Sequence, residues 1–270
     1  MYIFPAPVFF FVSSIDPKGH HMKRCSFLIR ILLSCFIFSH CSTAYQPQSV
    51  EFIDYRIQST AKADSSIIRL VKPYADSINQ KMNLVIGELE TSLEKKQPEG
   101  TLNNWTADVM LEAARKRFNT KVDAAILNYG GLRLTQVAAG PLTVGKIYEL
   151  SPFDNTIVLL SVPGKNLLDF LHLIAERGGW PVAGIRMNIR DKKATEVMVQ
   201  GSALDTNIIY TIATVDYLAN GGDNTVMLAG LPRKDVGFLF RDALIEYVTG
   251  ANKNGQRISA VLDNRVTVSE

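Results

Sequence analysis

Cysteine is scarce in this chain and confined to one end: Cys25, Cys35 and Cys41 are the only three among 270 residues. The stretch after residue 41 therefore has no means of forming a disulfide or a thiolate metal site. Histidine is nearly as rare. His20, His21 and His40 share the leading stretch, and His172 stands alone in the remainder, which argues against a histidine-rich zinc or iron centre. His172 falls beside Leu171 in an amphipathic pattern, where a packing role is expected. The net charge of +3 comes from the leading stretch, where Lys18, Lys23, Arg24 and Arg30 face only Asp16. Beyond residue 41 basic and acidic residues balance, so nucleic acid is not an expected partner. There is no internal repeat and no low-complexity segment. The 47% hydrophobic content suits one large or two modest cores.

The leading stretch has its own logic. Met22-Lys23-Arg24 followed by the apolar run Phe27 to Phe38 has the form of a bacterial secretory signal. The run is shorter than the ~20 residues that span a bilayer comfortably. Residues 1–21 do not extend this pattern, so Met22 is the expected true start. Cys41 follows the run directly and precedes the polar tether Ser42-Thr43-Ala44. That order is similar to a lipoprotein signal, and the expectation is lipidation at Cys41, export to the cell envelope or periplasm, and a membrane anchor. His40 departs from the small residue expected there, and Leu32-Leu33-Ser34-Cys35 is a better local match with a shorter apolar run. Ordinary secretion with cleavage near Ala44 is the alternative. The division is then a leader over 1–41, a linker over 42–49, and a folded domain over 50–270.

Within that domain, patterning predicts a strand over 50–57 and a helix opened by Asp64 and broken or kinked at Pro73, with a second helical stretch over 74–82. A strand follows over 84–93. Asn103 and Asn104 are candidate caps of a helix reaching Phe118. Short apolar runs at 122–127, 156–162 and 208–214 read as buried strands. A helical turn is expected at 143–148, an amphipathic helix at 165–176, a hairpin pair within 185–204 and a closing helix over 237–248. Buried strands alternating with helices, plus hairpins, give an α/β (α+β) domain with a mixed sheet flanked by helices.

Two glycine loops follow buried strands: Asn128-Tyr129-Gly130-Gly131-Leu132-Arg133 and Tyr217-Leu218-Ala219-Asn220-Gly221-Gly222-Asp223. Glycine pairs allow positive φ and close approach of the backbone to a ligand. Asn128 carries both donors and an acceptor, and Arg133 has a fork suited to phosphate or carboxylate. Pro152-Phe153-Asp154-Asn155 places an aromatic on a proline turn. Tyr217 with Asp223 pairs a stacking ring with an acceptor carboxylate. Taken singly, each has a plain reading: a solvated arginine, a core phenylalanine, a solvated aspartate in a turn. Taken together, in this order, they point to the walls of a small-molecule pocket.

Four motifs, Leu102 to Asp108, Asn128 to Arg133, Gly140 to Thr156 and Tyr217 to Asp223, resemble in order and spacing those of the C-terminal domain of 5′-nucleotidases. The resemblance implies a nucleoside- or nucleotide-binding domain in which Phe153 and Tyr217 sandwich the base. Tyr217 stands where phenylalanine is more usual. Asp223 would hold the ribose, Asn128, Arg133 and Asn155 would contact sugar, base or phosphate, and Gly184 would line the base pocket. A further arginine of the family has no counterpart, and Lys95 and Lys96 are the nearest cations. The family's divalent metals and its catalytic His-Asp pair belong to another domain. The resemblance thus implies no cofactor and no catalytic residue in this chain. It implies a separate metallophosphoesterase chain as partner in a split hydrolase of nucleotide catabolism, or, as the alternative, a non-catalytic lipid-anchored binding protein for scavenging or sensing.

Overall fold

In the computed structural model, which describes residues 64–269, the first element is an 18-residue helix, α1 (Ser65–Met82). The Asp64 carboxylate caps it by accepting from the Ser66 and Ile67 amides. Of the break or kink expected at Pro73, the break does not occur, and the helix runs through that residue. One backbone bond is lost there, and the freed Arg69 carbonyl belongs to a helix with no buried residue, where water can take it. The expected strand at 50–57, the leader and Cys41 lie outside the described residues.

The next elements are β1 (Val85–Leu89), β2 (Leu93–Glu94), α2 (Thr101–Phe118), β3 (Ala124–Ile126), β4 (Gln136–Val137), β5 (Gly140–Thr143) and α3 (Val144–Leu150). They are followed by β6 (Thr156–Pro163), α4 (Gly164–Glu176), β7 (Val182–Ala183), β8 (Ile185–Arg190), β9 (Lys193–Val199) and β10 (Ser202–Ala203). The last are β11 (Ile209–Val215), the short α5 (Asp216–Ala219), β12 (Arg233–Leu239), α6 (Phe240–Lys253) and β13 (Val266–Val268). The mixed α/β architecture is the one expected. Two boundaries move. Helix α2 begins at Thr101 with Gly100 as its cap, and Asn103 and Asn104 lie buried inside its first turn. Their amides reach outward instead, Asn103 to the Lys96 carbonyl and Asn104 to Glu99 and the Val261 carbonyl. The closing helix starts at Phe240 and runs to Lys253, because Gly237, at φ 66, belongs to an irregular stretch of β12.

A five-stranded sheet in the order β12-β6-β11-β3-β7 forms the centre. β3 is wholly buried and β6 and β11 nearly so, as expected for strands covered on both faces. Helix α2 packs on β3, β7 and β11, while α4 bridges β6 and β11 to β9 of a second sheet, ordered β10-β9-β8-β13. His172 on α4 accepts from the Ala194 amide of β9 at 3.1 Å, a packing contact between the layers.

Arg265, just before β13, ties the carboxyl-terminal segment to the rest. Its guanidinium donates to both oxygens of Asp108 on α2, to both oxygens of Asp263 and to the Val182 carbonyl of β7. The Arg265 hydrogen bonds hold the Asp263 carboxyl below its ordinary range. A carboxyl depressed in the folded state contributes stability above its unfolded pKa and loses it as pH falls through the folded one. Urea unfolding should therefore show stability falling on acidification below about pH 4, and Asp263→Asn should lower stability at neutral pH and flatten that acid limb.

Candidate functional site

Strand pairing explains why distant loops meet. β3 and β11 run parallel as neighbours, with Ala124 opposite Ile212, so the loops that follow them leave the sheet at the same end. β6 runs antiparallel to β11, with Ile157 opposite Val215, so the segment entering β6 arrives at that end too. The Thr214 hydroxyl donates to the Ile126 carbonyl at 2.8 Å in the buried interior and holds the parallel pair in register. The Thr156 amide donates to Asp216, joining the start of β6 to α5.

The loops enclose a cavity of about 310 Å³, lined by Asn128, Gly130, Gly131 and Arg133 after β3, by Phe153 and Asn155 before β6, and by Tyr217 and Asp223 after β11. Asn128 is buried. Its side chain lies over Gly131, where a Cβ would stand 2.6 Å from Asn128 Oδ1, so a larger residue there would push the Asn128 amide aside. Asn128 Nδ2 donates to Asp223 Oδ2 at 2.7 Å, linking the two glycine loops across the cavity floor. Arg133 donates to the Gly130 carbonyl at 3.3 Å and stands 5.9 Å from the centre of the Phe153 ring, within cation–π range. Phe153 and Tyr217 are 45% and 43% exposed, which sets them apart from core aromatics and leaves ring surface free to stack.

Six of the seven expected binding residues thus line one cavity, and Gly184 lies elsewhere. It borders a different depression with Asp108, Arg186, Gln200, Asp263 and Arg265. Its φ is +74, its carbonyl accepts from the Gln200 amide, and a Cβ would fall 2.4 Å from the Asp123 carbonyl oxygen. The close crossing of another backbone between β7 and β8 accounts for glycine at this position. A further depression of about 320 Å³ lies between α2 and α6. There burial, then Glu112 and Asp108, raise the Tyr247 phenol above its ordinary range.

Two residues have supporting roles that the sequence does not assign. Lys95 donates to the Leu132 carbonyl at 2.7 Å and sits 4.3 Å from the Tyr129 ring centre. Burial, and then the Arg133 guanidinium, pull its ammonium below the usual lysine range. It therefore props the first glycine loop from behind and is not among the residues that line the cavity. Arg241, in the first turn of α6, is 6% exposed. It donates to the Pro152 and Phe153 carbonyls and to Asp154, and its guanidinium lies 4.2 Å from the Tyr148 ring centre. The Phe240 amide adds a bond to the Asn155 carbonyl. Helix α6 thereby holds the Phe153 turn by its backbone. The only sequence signal is a charged residue set in the run Phe238-Leu239-Phe240-Arg241, otherwise apolar.

The divalent metals that the resemblance implies are not served by these residues. Among the described residues no three His, Cys, Asp or Glu side chains group as ligands, whereas two-metal hydrolysis needs several around each ion.

Replacing Arg241 by alanine should destabilise the domain by about 2–3 kcal/mol, since the charged hydrogen bonds of a buried guanidinium are lost. Denaturant titration reads that loss, and amide exchange should show the 152–155 turn loosening more than the sheet.

A family model described as 5′-nucleotidase, C-terminal domain, matches residues 85–230, a span that holds every loop of the cavity. The chain is 26% identical over 198 residues to a 5′-nucleotidase of Vibrio vulnificus, covering 71% of this chain and 35% of that protein. It is 26% identical over 236 residues to the trifunctional nucleotide phosphoesterase protein YfkN of Bacillus subtilis, covering 81% of this chain and 16% of that one. Among solved structures it is similar to a 5′-nucleotidase precursor from Thermus thermophilus, with a TM-score of 0.64, 28% identity, and coverage of 74% of this chain and 42% of that one. The chain thus spans about a third of the length of the Vibrio relative. With the motifs, the fold and a match over more than half of its length in agreement, the chain belongs to the 5′-nucleotidase C-terminal domain family.

Proposed function

We propose that this domain binds the nucleoside part of a nucleotide for a phosphoester hydrolase whose metal-bearing domain resides on a separate chain. The observation that carries the reading is the convergence of Phe153, Tyr217, Asp223 and Arg133 on one cavity of about 310 Å³. That size is at the small end of ligand pockets. A base stacks against the exposed rings. The Asp223 carboxylate accepts from ribose hydroxyls, Asn128 and Asn155 supply polar contacts, and Arg133 meets the phosphate at the rim.

Retention of the binding residues without a grouped set of metal ligands among the described residues supports assigning the bond-breaking step to a metallophosphoesterase partner. The signal-like stretch ending at Cys41 supports an exported domain tethered to a membrane through a lipid, where a partner would meet it.

Titration calorimetry of the purified chain with adenosine, AMP and UDP-glucose tests the binding role. Tyr217→Ala or Phe153→Ala should each weaken binding by about 1–3 kcal/mol. Incubation with AMP and a divalent metal, alone and with a candidate metallophosphoesterase, tests the division of labour: turnover is expected only with the partner. Rapid hydrolysis by the chain alone would overturn the split arrangement. Binding without turnover in any pairing would favour a scavenging or sensing protein.

A further inference from the structure

The hydrogen bonds around Asp223 form a closed set. Its Oδ2 accepts from Asn128 at 2.7 Å, and its Oδ1 accepts from the Tyr217 hydroxyl at 3.1 Å. The same hydroxyl accepts from the Asp223 amide at 3.2 Å. A phenol has one proton to give and lone pairs to receive, so both bonds coexist on one oxygen. The Tyr217 ring in turn packs against Gly222, where a Cβ would stand 2.5–2.6 Å from three ring carbons. The backbone is left-handed at Asp223 and Asn224, with φ of 52° and 65°. Non-glycine residues hold that conformation where their surroundings over-determine it, and such positions gather at ligand sites.

An ionised carboxylate offers about four lone-pair sites. Asn128 and Tyr217 occupy one on each oxygen, which leaves one on each, on a residue that lines the cavity. Two adjacent hydroxyls, as in the vicinal diol of a ribose, can donate to both at once. A sugar without them uses neither. We infer that the Tyr217 hydroxyl is a positioning group that fixes the rotation of the Asp223 carboxylate and so sets selectivity for ligands carrying a vicinal diol. This role rests on the nucleoside reading of the cavity. It is separate from stacking, which the ring alone performs. Without the hydroxyl only the Asn128 bond restrains rotation about the Cβ–Cγ bond, and the free sites are less firmly directed.

Tyr217→Phe keeps the ring and its contact with Gly222 and removes only the hydroxyl. Wild type and variant are titrated with adenosine and with 2′,3′-dideoxyadenosine. Adenosine affinity should fall about fivefold, the scale of one weakened hydrogen bond to a charged group, while the dideoxy compound is unaffected and the ratio between them shrinks. A second measurement needs no ligand. Hydrogen exchange at the Asp223 amide should accelerate on the order of tenfold in Tyr217→Phe, as its acceptor is gone. Equal losses for both compounds, or an unchanged Asp223 amide, overturn the inference. Should wild type bind neither compound while the amide is protected and then released by the substitution, the nucleoside reading has failed. The sugar selectivity falls with it, although the hydroxyl still holds the loop.

Discussion

The parallel pairing of β3 with β11 is the constraint on which the site depends. Parallel neighbours deliver their following loops to the same end of a sheet, and the antiparallel β6 brings its preceding segment there as well. Three stretches separated by up to 95 residues, as in the Asn128–Asp223 pair, are thus gathered by backbone geometry before any side chain of the cavity makes a contact. The buried Thr214 hydroxyl, placed on the Ile126 carbonyl, removes freedom of slip between the two strands. A slip by one residue would reverse the faces of a strand and carry its loop out of place.

The two aromatic walls are held by different means. Phe153 rides on a turn fastened through its carbonyls to a buried guanidinium on α6, so its position depends on how that helix sits against the sheet. Tyr217 is fastened locally, by its own loop, through Gly222 and Asp223. One wall therefore reports on tertiary packing and the other on a turn of the chain. Domain-wide loosening would release the first before the second.

Much of this architecture is legible in the amino-acid order, for identifiable reasons. The central strands announce themselves because burial on both faces demands unbroken apolar runs. Asn128, Arg133, Phe153, Asn155, Tyr217 and Asp223 stand out because glycine and proline mark the loops that carry them. Boundaries are less legible where a residue type has two uses. Pro73 lies within a helix exposed enough for water to take the freed carbonyl. Asn103 and Asn104 look like caps but bond to the preceding loop and to the Val261 carbonyl. Gly184 needs its positive φ for a backbone crossing, and a glycine that meets a ligand has the same appearance. The supporting roles of Arg241 and Lys95 are not legible because they bond largely to main-chain carbonyls, which leave no imprint on the sequence.

The half-open rings of Phe153 and Tyr217 have a thermodynamic meaning. Water lies against apolar surface that a stacked guest would shed, so association should carry a negative heat-capacity change. The heat of binding would then grow more exothermic on warming, a calorimetric fingerprint of ring faces held uncovered by the fold.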